Sequence, residues 1–246
     1  MPTIYLSPST QENNLYVNGG TEEYYMNRIA DAMIPYLRSS GIQYTRNTPD
    51  MTAASSIRQS NAGNYDLHVA IHSNAAPEGR YGEFQGTDVY YAPGSSSGKR
   101  FAEILAANMK RIYPNPDLVR AVPTTTLGEV TRTRAPAVLI EVAYHDNPQD
   151  AEWIKSNIEN IAQVIVQSID EYFGLPYVPP MTPQTGVVTV SSGNLNIRSR
   201  PSLDAPVIAR APAGSSLTVL GEYQNWYVVN DQGNVGYANK NYIRLE

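Results

Sequence analysis

Residues 137–143 read Ala-Val-Leu-Ile-Glu-Val-Ala, apolar throughout except for Glu141. A strand without a polar face must be covered on both sides, which is the condition of a strand inside a helix-flanked, largely parallel sheet. Residues 66–73 (Asp-Leu-His-Val-Ala-Ile-His-Ser) form a second compact run of strand length. Further strands are expected at 3–7, 42–46 and 86–91. Between them fall helical patterns. Over 22–39, Met26, Ile29, Ala30, Met33 and Leu37 share one face. Helices are also expected at 53–61, 99–112 and 150–173. The last carries Trp153, Ile154, Ile158, Ile161, Ile165 and Ile169 on its inner side. Strands alternating with helices of this length predict an α/β fold, a mostly parallel sheet flanked by helices.

The texture then changes. Residues 175–186 (Leu-Pro-Tyr-Val-Pro-Pro-Met-Thr-Pro-Gln-Thr-Gly) hold four prolines and no periodicity, as a semi-rigid linker would. Short β-type runs follow at 187–190, 195–198, 207–211, 216–221, 226–230 and 234–238, separated by Gly, Asn and Pro. They predict a small all-β barrel. The expected organisation is therefore a domain at 1–175, a linker at 176–186 and a barrel at 187–246.

Composition removes several chemistries. The chain has no cysteine, so disulfides and thiolate metal sites are excluded. Any metal must use His, Asp or Glu, with an amide or water as a further donor. A net charge of −5 with no clustered Lys or Arg argues against a nucleic-acid partner. No stretch approaches a membrane span. The N-terminus shows neither a basic nor an apolar leader region, so no signal peptide is visible. Either a leader was removed or release is by lysis, as with a phage enzyme. A monomer is expected.

Histidine occurs only as His68, His72 and His145. His72 ends an apolar strand, and α/β folds place their sites at such C-terminal ends. His68 lies on the same side of that strand by alternation, either as a core histidine or as support for the site. Glu141 is costly to bury unless paired, protonated or beside a metal; an ion pair with Arg132 or Arg134 is the plain alternative. Glu22 and Glu23 open a helix behind Thr21, where acids also suit the helix dipole.

Taken together, these features resemble the zinc-dependent N-acetylmuramoyl-L-alanine amidase family in order and spacing. The matching elements are Glu23 with Asn27, then Ala-Ile-His-Ser-Asn-Ala at 70–75, then Pro-Ala-Val-Leu-Ile-Glu at 136–141. Tyr-His-Asp-Asn-Pro at 144–148 also matches. The resemblance spans nearly all of 3–175. It implies one zinc ion held by Glu23 and His72, with Glu141 as general base. It also implies peptidoglycan as substrate, cut at the amide between N-acetylmuramic acid and L-alanine. The family's first histidine ligand is missing: its place falls on Thr10. Gln11, Glu12 and Asn13 follow, and Glu12 is chemically the best replacement, with His145 as another. Arg132 and Arg134 are candidates to contact stem-peptide carboxylates. The rival reading is a degenerate amidase fold that binds peptidoglycan without cutting it.

The tail resembles the bacterial SH3-like domain. The residues that carry this are Leu-Asn-Ile-Arg-Ser-Arg-Pro-Ser at 195–202, Asn-Trp-Tyr-Val-Val at 225–229 and Gly-Asn-Val-Gly-Tyr-Ala at 233–238. The resemblance implies wall binding, through a groove that Tyr223, Trp226 and Tyr237 could line, although Trp226 suits a barrel core. Action outside the cell or in the wall is expected, with autolysin, sporulation enzyme and phage endolysin all open.

Overall fold

The computed structural model describes residues 1–246. Its contacts divide the chain into two compact units. One comprises Thr3–Met33 and Tyr44–Tyr172; the other comprises Met1–Pro2, Ile34–Gln43 and Phe173–Glu246.

The first unit is built on a six-stranded sheet. In chain order the strands of this sheet and the helices between and after them are β1 (Thr3–Pro8), α1 (Glu22–Ser39), β2 (Gln43–Arg46), α2 (Ala53–Ala62), β3 (Leu67–Asn74), β4 (Thr87–Tyr91), α3 (Ser96–Met109), β5 (Val119–Pro123), α4 (Gly128–Thr131), β6 (Ala137–Tyr144), α5 (Pro148–Ser156) and α6 (Ile158–Phe173), of which the end of α1 from Ile34, Gln43 of β2 and Phe173 of α6 are counted with the second unit. The strand order is β2-β1-β3-β6-β4-β5. The pairs β1–β3, β3–β6 and β4–β5 are parallel, and β4 runs antiparallel to β6.

The sheet is covered as its two central strands require. Ala70 and Leu139 pack with Val130 of α4 on one face. Their neighbours Val69, Ile71, Val138 and Ile140 are also buried, and by alternation they point the other way. α3 lies against β4, β5 and β6. It is joined to α6 by the Phe101–Tyr172 ring contact and by Asn108 Nδ2 donating to Ser168 Oγ at 3.0 Å.

The elements differ from expectation in two respects. The single helix expected at 150–173 is two helices, because Asn157 leaves helical geometry and caps α5. Its side chain donates to Trp153 O and its carbonyl accepts from Ile161 N, so one residue ends α5 and starts α6. β5 and α4 had no periodic signal, being five and four residues long.

The tail is an antiparallel seven-stranded sheet. Its strands are β7 (Gln184–Val188), β8 (Asn194–Arg198), β9 (Val207–Pro212), β10 (Ser216–Tyr223), β11 (Trp226–Asp231), β12 (Asn234–Asn239) and β13 (Ile243–Leu245). They follow the order β13-β7-β10-β11-β12-β8-β9. Leu195, Ile197, Val219, Val229 and Ile243 form its core. The β11–β12 hairpin turns on Gln232 and Gly233, both at positive φ, as a tight right-twisted hairpin requires. Tyr237 is fully buried and Trp226 nearly so, which removes both from a surface groove; Tyr223 stays half-exposed.

Asp150 ties α5 to two strands. It accepts from Tyr113 Oη at 2.5 Å, Tyr144 N at 3.0 Å and Gly86 N at 3.1 Å. It thereby anchors the end of β6 and the start of β4. Asp150→Ala strands three buried donors and is expected to cost roughly 2–4 kcal/mol. A urea titration checks this: an unchanged midpoint would show that the three bonds contribute nothing net.

Candidate active site

The site forms at the C-terminal ends of β1, β3 and β6. His72 lies near the C-terminal end of β3 and is held from both sides. Its Nδ1 lies 2.8 Å from Glu22 Oε1, and its Nε2 lies 3.0 Å from Glu129 Oε2. Glu22 is the first residue of α1, whose start is fixed by Thr21 Oγ1 accepting from Tyr24 N. Glu22 also accepts from Asn14 Nδ2 at 2.6 Å and Ser73 N at 3.3 Å. Glu129, in α4, accepts from Ser7 Oγ and lies 3.4 Å from His68 Nε2. His68 is buried, stacks on Tyr5 and meets Ser60 Oγ through Nδ1 at 3.0 Å.

Burial opposes every charge here, and the partners decide the outcome. For Glu129, burial raises the carboxyl, but bonds to His68 and His72 outweigh it and hold the group at about 2. For Glu22, burial is again outweighed, by His72, Asn14 and Ser9, and the carboxyl lies below its ordinary range. For His72, burial favours the neutral ring, but the two carboxylates raise it well above the ordinary histidine value. Glu141 is the opposite case. Burial lifts it to about 7, with Glu22, Asp88 and Glu129 adding to the rise and His72 offsetting only part of it. Its Oε2 is buried without a hydrogen-bond partner. Glu141 pairs directly with His72 in the β3–β6 register, so both project from the same face.

A third donor approaches from the loop after β1. Gln11 Nε2 lies 3.3 Å from His72 Nδ1 and 3.5 Å from Glu22 Oε1. A cavity of about 620 Å³ opens beside this group, lined by Ser9, Gln11, Asn47, Thr52, His72 and Glu129 among others.

His72 and Glu141 thus come together at the centre, and other expected residues do not. Glu22, not Glu23, reaches His72: successive helical residues diverge by about 100°, and Glu23 turns to a half-buried position off the site. Glu12 lines the cavity but is exposed and bonds to neither His72 nor Glu22. Arg132 and Arg134 precede the N-terminal end of β6, the wrong end of the sheet. Arg134 Nη1 donates there to Asn61 O at 3.1 Å, and Asn61 Nδ2 donates to Arg132 O at 2.8 Å. Neither arginine pairs with Glu141. His145 stacks on Tyr16, with Nδ1 2.9 Å from Ser73 O, and so secures the end of β3. Glu129 carried no signal in the sequence beyond being an acid in a short Leu-Gly-Glu-Val stretch before β6.

This arrangement is that of a hydrolase acting at the C-terminal edge of an α/β sheet. The model of the N-acetylmuramoyl-L-alanine amidase family matches residues 9–171, and that of the bacterial SH3 domain matches 193–244. The chain belongs to the N-acetylmuramoyl-L-alanine amidase family and ends in a bacterial SH3 domain. A comparison with curated proteins gives no match. Among solved structures, the amidase AmiC2 of Nostoc punctiforme superposes with a TM-score of 0.62 at 17% identity, over 70% of this chain and 97% of that one. The CwlD amidase from Clostridioides difficile, in complex with the GerS lipoprotein, gives 0.62 at 18%, over 71% and 99%. The catalytic domain of the CD27L endolysin gives 0.58 at 22%, over 70% and 98%. These likenesses are of fold.

Glu22→Gln is expected to lower wall hydrolysis by about 100-fold or more, because it removes the anion facing His72. Glu23→Gln is expected to leave the rate within about twofold. Dye release from labelled cell wall checks both; equal losses would remove the distinction between the two acids.

Proposed function

We propose that this chain is a peptidoglycan hydrolase that cuts the amide between N-acetylmuramic acid and L-alanine, with Glu141 as general base and a zinc ion held by Glu22, His72 and Gln11. The observation that carries it is Glu141. It stands in register with His72, its Oε2 is buried without a hydrogen-bond partner, and burial lifts its carboxyl to about 7, where a group can both take and return a proton.

Zinc dependence is a property of the family. No trio of His, Asp, Glu or Cys side chains is arranged to hold a metal, so the third donor has to be of another kind. The geometry fits an amide. If His72 Nε2–H donates to Glu129, its Nδ1 presents a lone pair to the anionic Glu22 Oε1 at 2.8 Å. Two acceptors that close repel unless a proton or a cation lies between them. Gln11 completes the triangle, and a half-turn of its amide exchanges Nε2 for Oε1 at the same point. Glu129 then acts as the carboxylate behind a metal-binding histidine, fixing the ring's tautomer and direction.

When bound, zinc supplies Lewis-acid polarisation of the scissile carbonyl and lowers the pKa of water. Glu141 takes a proton from the attacking water as the new C–O bond forms. It returns that proton to the L-alanine nitrogen as the C–N bond breaks. The family match across 9–171 supports an active enzyme over a degenerate binder.

We read 1–175 as the catalytic half, 176–186 as a linker and 187–246 as the wall-binding half, supported by the spans of the two family matches. A tethered wall-binding domain raises the local substrate concentration. The site of action is the wall, outside the cell. No helix is long and apolar enough to cross a membrane.

Glu141→Gln is expected to keep its metal and lose about 10²–10⁴-fold in rate. Metal analysis alongside release of L-alanine amino termini checks this; a variant that stays active has no general base at Glu141. Gln11→His is expected to bind zinc about tenfold or more tightly, since imidazole is a better zinc donor than an amide. Competition with a chromogenic chelator reads the affinity without reference to activity, and unchanged affinity would place Gln11 outside the metal site.

A further inference from the structure

Four polar side chains form a line across the catalytic face of the sheet. His72 pairs with Glu141, Glu141 with Asp88, and Asp88 with Arg120, on β3, β6, β4 and β5 in turn. Residues directly opposite one another in a sheet project from the same face. The line therefore starts at the reaction centre and ends at the edge strand, with Arg120 about 10 Å of backbone from Glu141 at two strand spacings.

The far end of this line is ordered. Asp88 is buried, while the Arg120 side chain is 63% exposed. Arg120 Nε donates to Asp88 Oδ1 at 3.1 Å and Nη2 donates to Oδ2 at 3.2 Å. Tyr90 Oη donates to the same carboxylate at 3.4 Å. The guanidinium is thus fixed through Nε and Nη2, while Nη1 makes no hydrogen bond within the protein and the side chain stays largely exposed. Such a fork, held in place before a ligand arrives, suits a carboxylate.

The opposite side of the centre has another character. The cavity beside β1 is lined by Ser9, Asn14, Asn47 and Thr52, with Asp50 and Glu129, and by no Lys or Arg. Uncharged donors and acceptors suit sugar hydroxyls, and the carboxylates there repel an acidic peptide.

We propose that peptidoglycan crosses this sheet in one direction, with the glycan in the cavity beside β1 and the stem peptide over β6, β4 and β5, where Arg120 binds the stem-peptide carboxylate nearest the cut. The inference rests on the amidase reading and adds a specificity residue to it. The two stem residues beyond the scissile amide span about 7 Å, and the arginine side chain covers the remainder.

The test uses the full chain, loaded with zinc, and two synthetic substrates. Both are N-acetylmuramoyl-L-alanyl-D-glutamates, one with a free α-carboxyl and one with that group as carboxamide. Wild type is expected to show about tenfold lower KM for the free acid. Arg120→Gln should erase that preference by raising KM for the acid alone, with kcat unchanged. Arg120→Glu should reverse it, and Arg120→Lys should restore part of it. Equal KM values for the two substrates in wild type overturn the proposal without any variant, as does an Arg120 effect of the same size on both. A wild type that cuts neither substrate nor isolated wall overturns the amidase reading, and this proposal with it.

Discussion

The site hangs on a bridge of carboxylate, imidazole and carboxylate. Glu22 brings α1 to His72, and Glu129 brings α4 to the same ring from the other side. Neither acid tolerates burial alone. Each is kept charged by the histidine, and the histidine is kept in place by both. Ser7, His68 and Asn14 bind the outer oxygens, so the network reaches β1, β3 and the loop between β1 and α1. Five separate segments are thereby brought to a common point at the sheet's C-terminal edge.

Glu141 is built on the opposite principle. It sits one strand away from the bridge, in register with His72, and is given no partner of its own. Burial, with several carboxylates set against one histidine neighbour, lifts it to about 7. Two kinds of carboxyl thus coexist on one face: those satisfied by hydrogen bonds, which position, and one left unsatisfied, which can exchange protons. Asp88 and Arg120 continue the face toward the sheet edge, where the charge is satisfied again.

In the proposed site Gln11 serves as the third ligand, one residue after Thr10, on which the sequence pattern puts the family's missing histidine. The loop after β1 is tied down by Ser9 N donating to Ile71 O and by the Leu15–Thr21 bridge. Whatever residue follows Ser9 and Thr10 is delivered toward His72 and Glu22. Donor strength at that position is a property of the side chain, while its location is a property of the loop. On the proposed reading, a weaker third donor would leave more positive charge on a bound cation and favour polarisation of a carbonyl at some cost in affinity.

Local pattern alone determined much of this protein. The apolar runs around Glu141 and His72 demanded a covered, mostly parallel sheet, and the helical spacing of Met26 through Leu37 demanded α1. The proline-rich stretch and the short β runs marked a second, all-β half. These signals are legible because burial acts on each strand or helix as a repeating pattern. Tertiary structure decided what repeats cannot encode. It chose Glu22 over Glu23, a choice made by the 100° turn between adjacent helical residues at one helix start. It placed Glu129, from a helix only four residues long, against two histidines more than fifty residues earlier in the chain. It set Arg132 and Arg134 at the wrong end of the sheet and Arg120 at the right one. Such placements depend on strand order and direction, and no periodicity along the chain records which strand lies beside which.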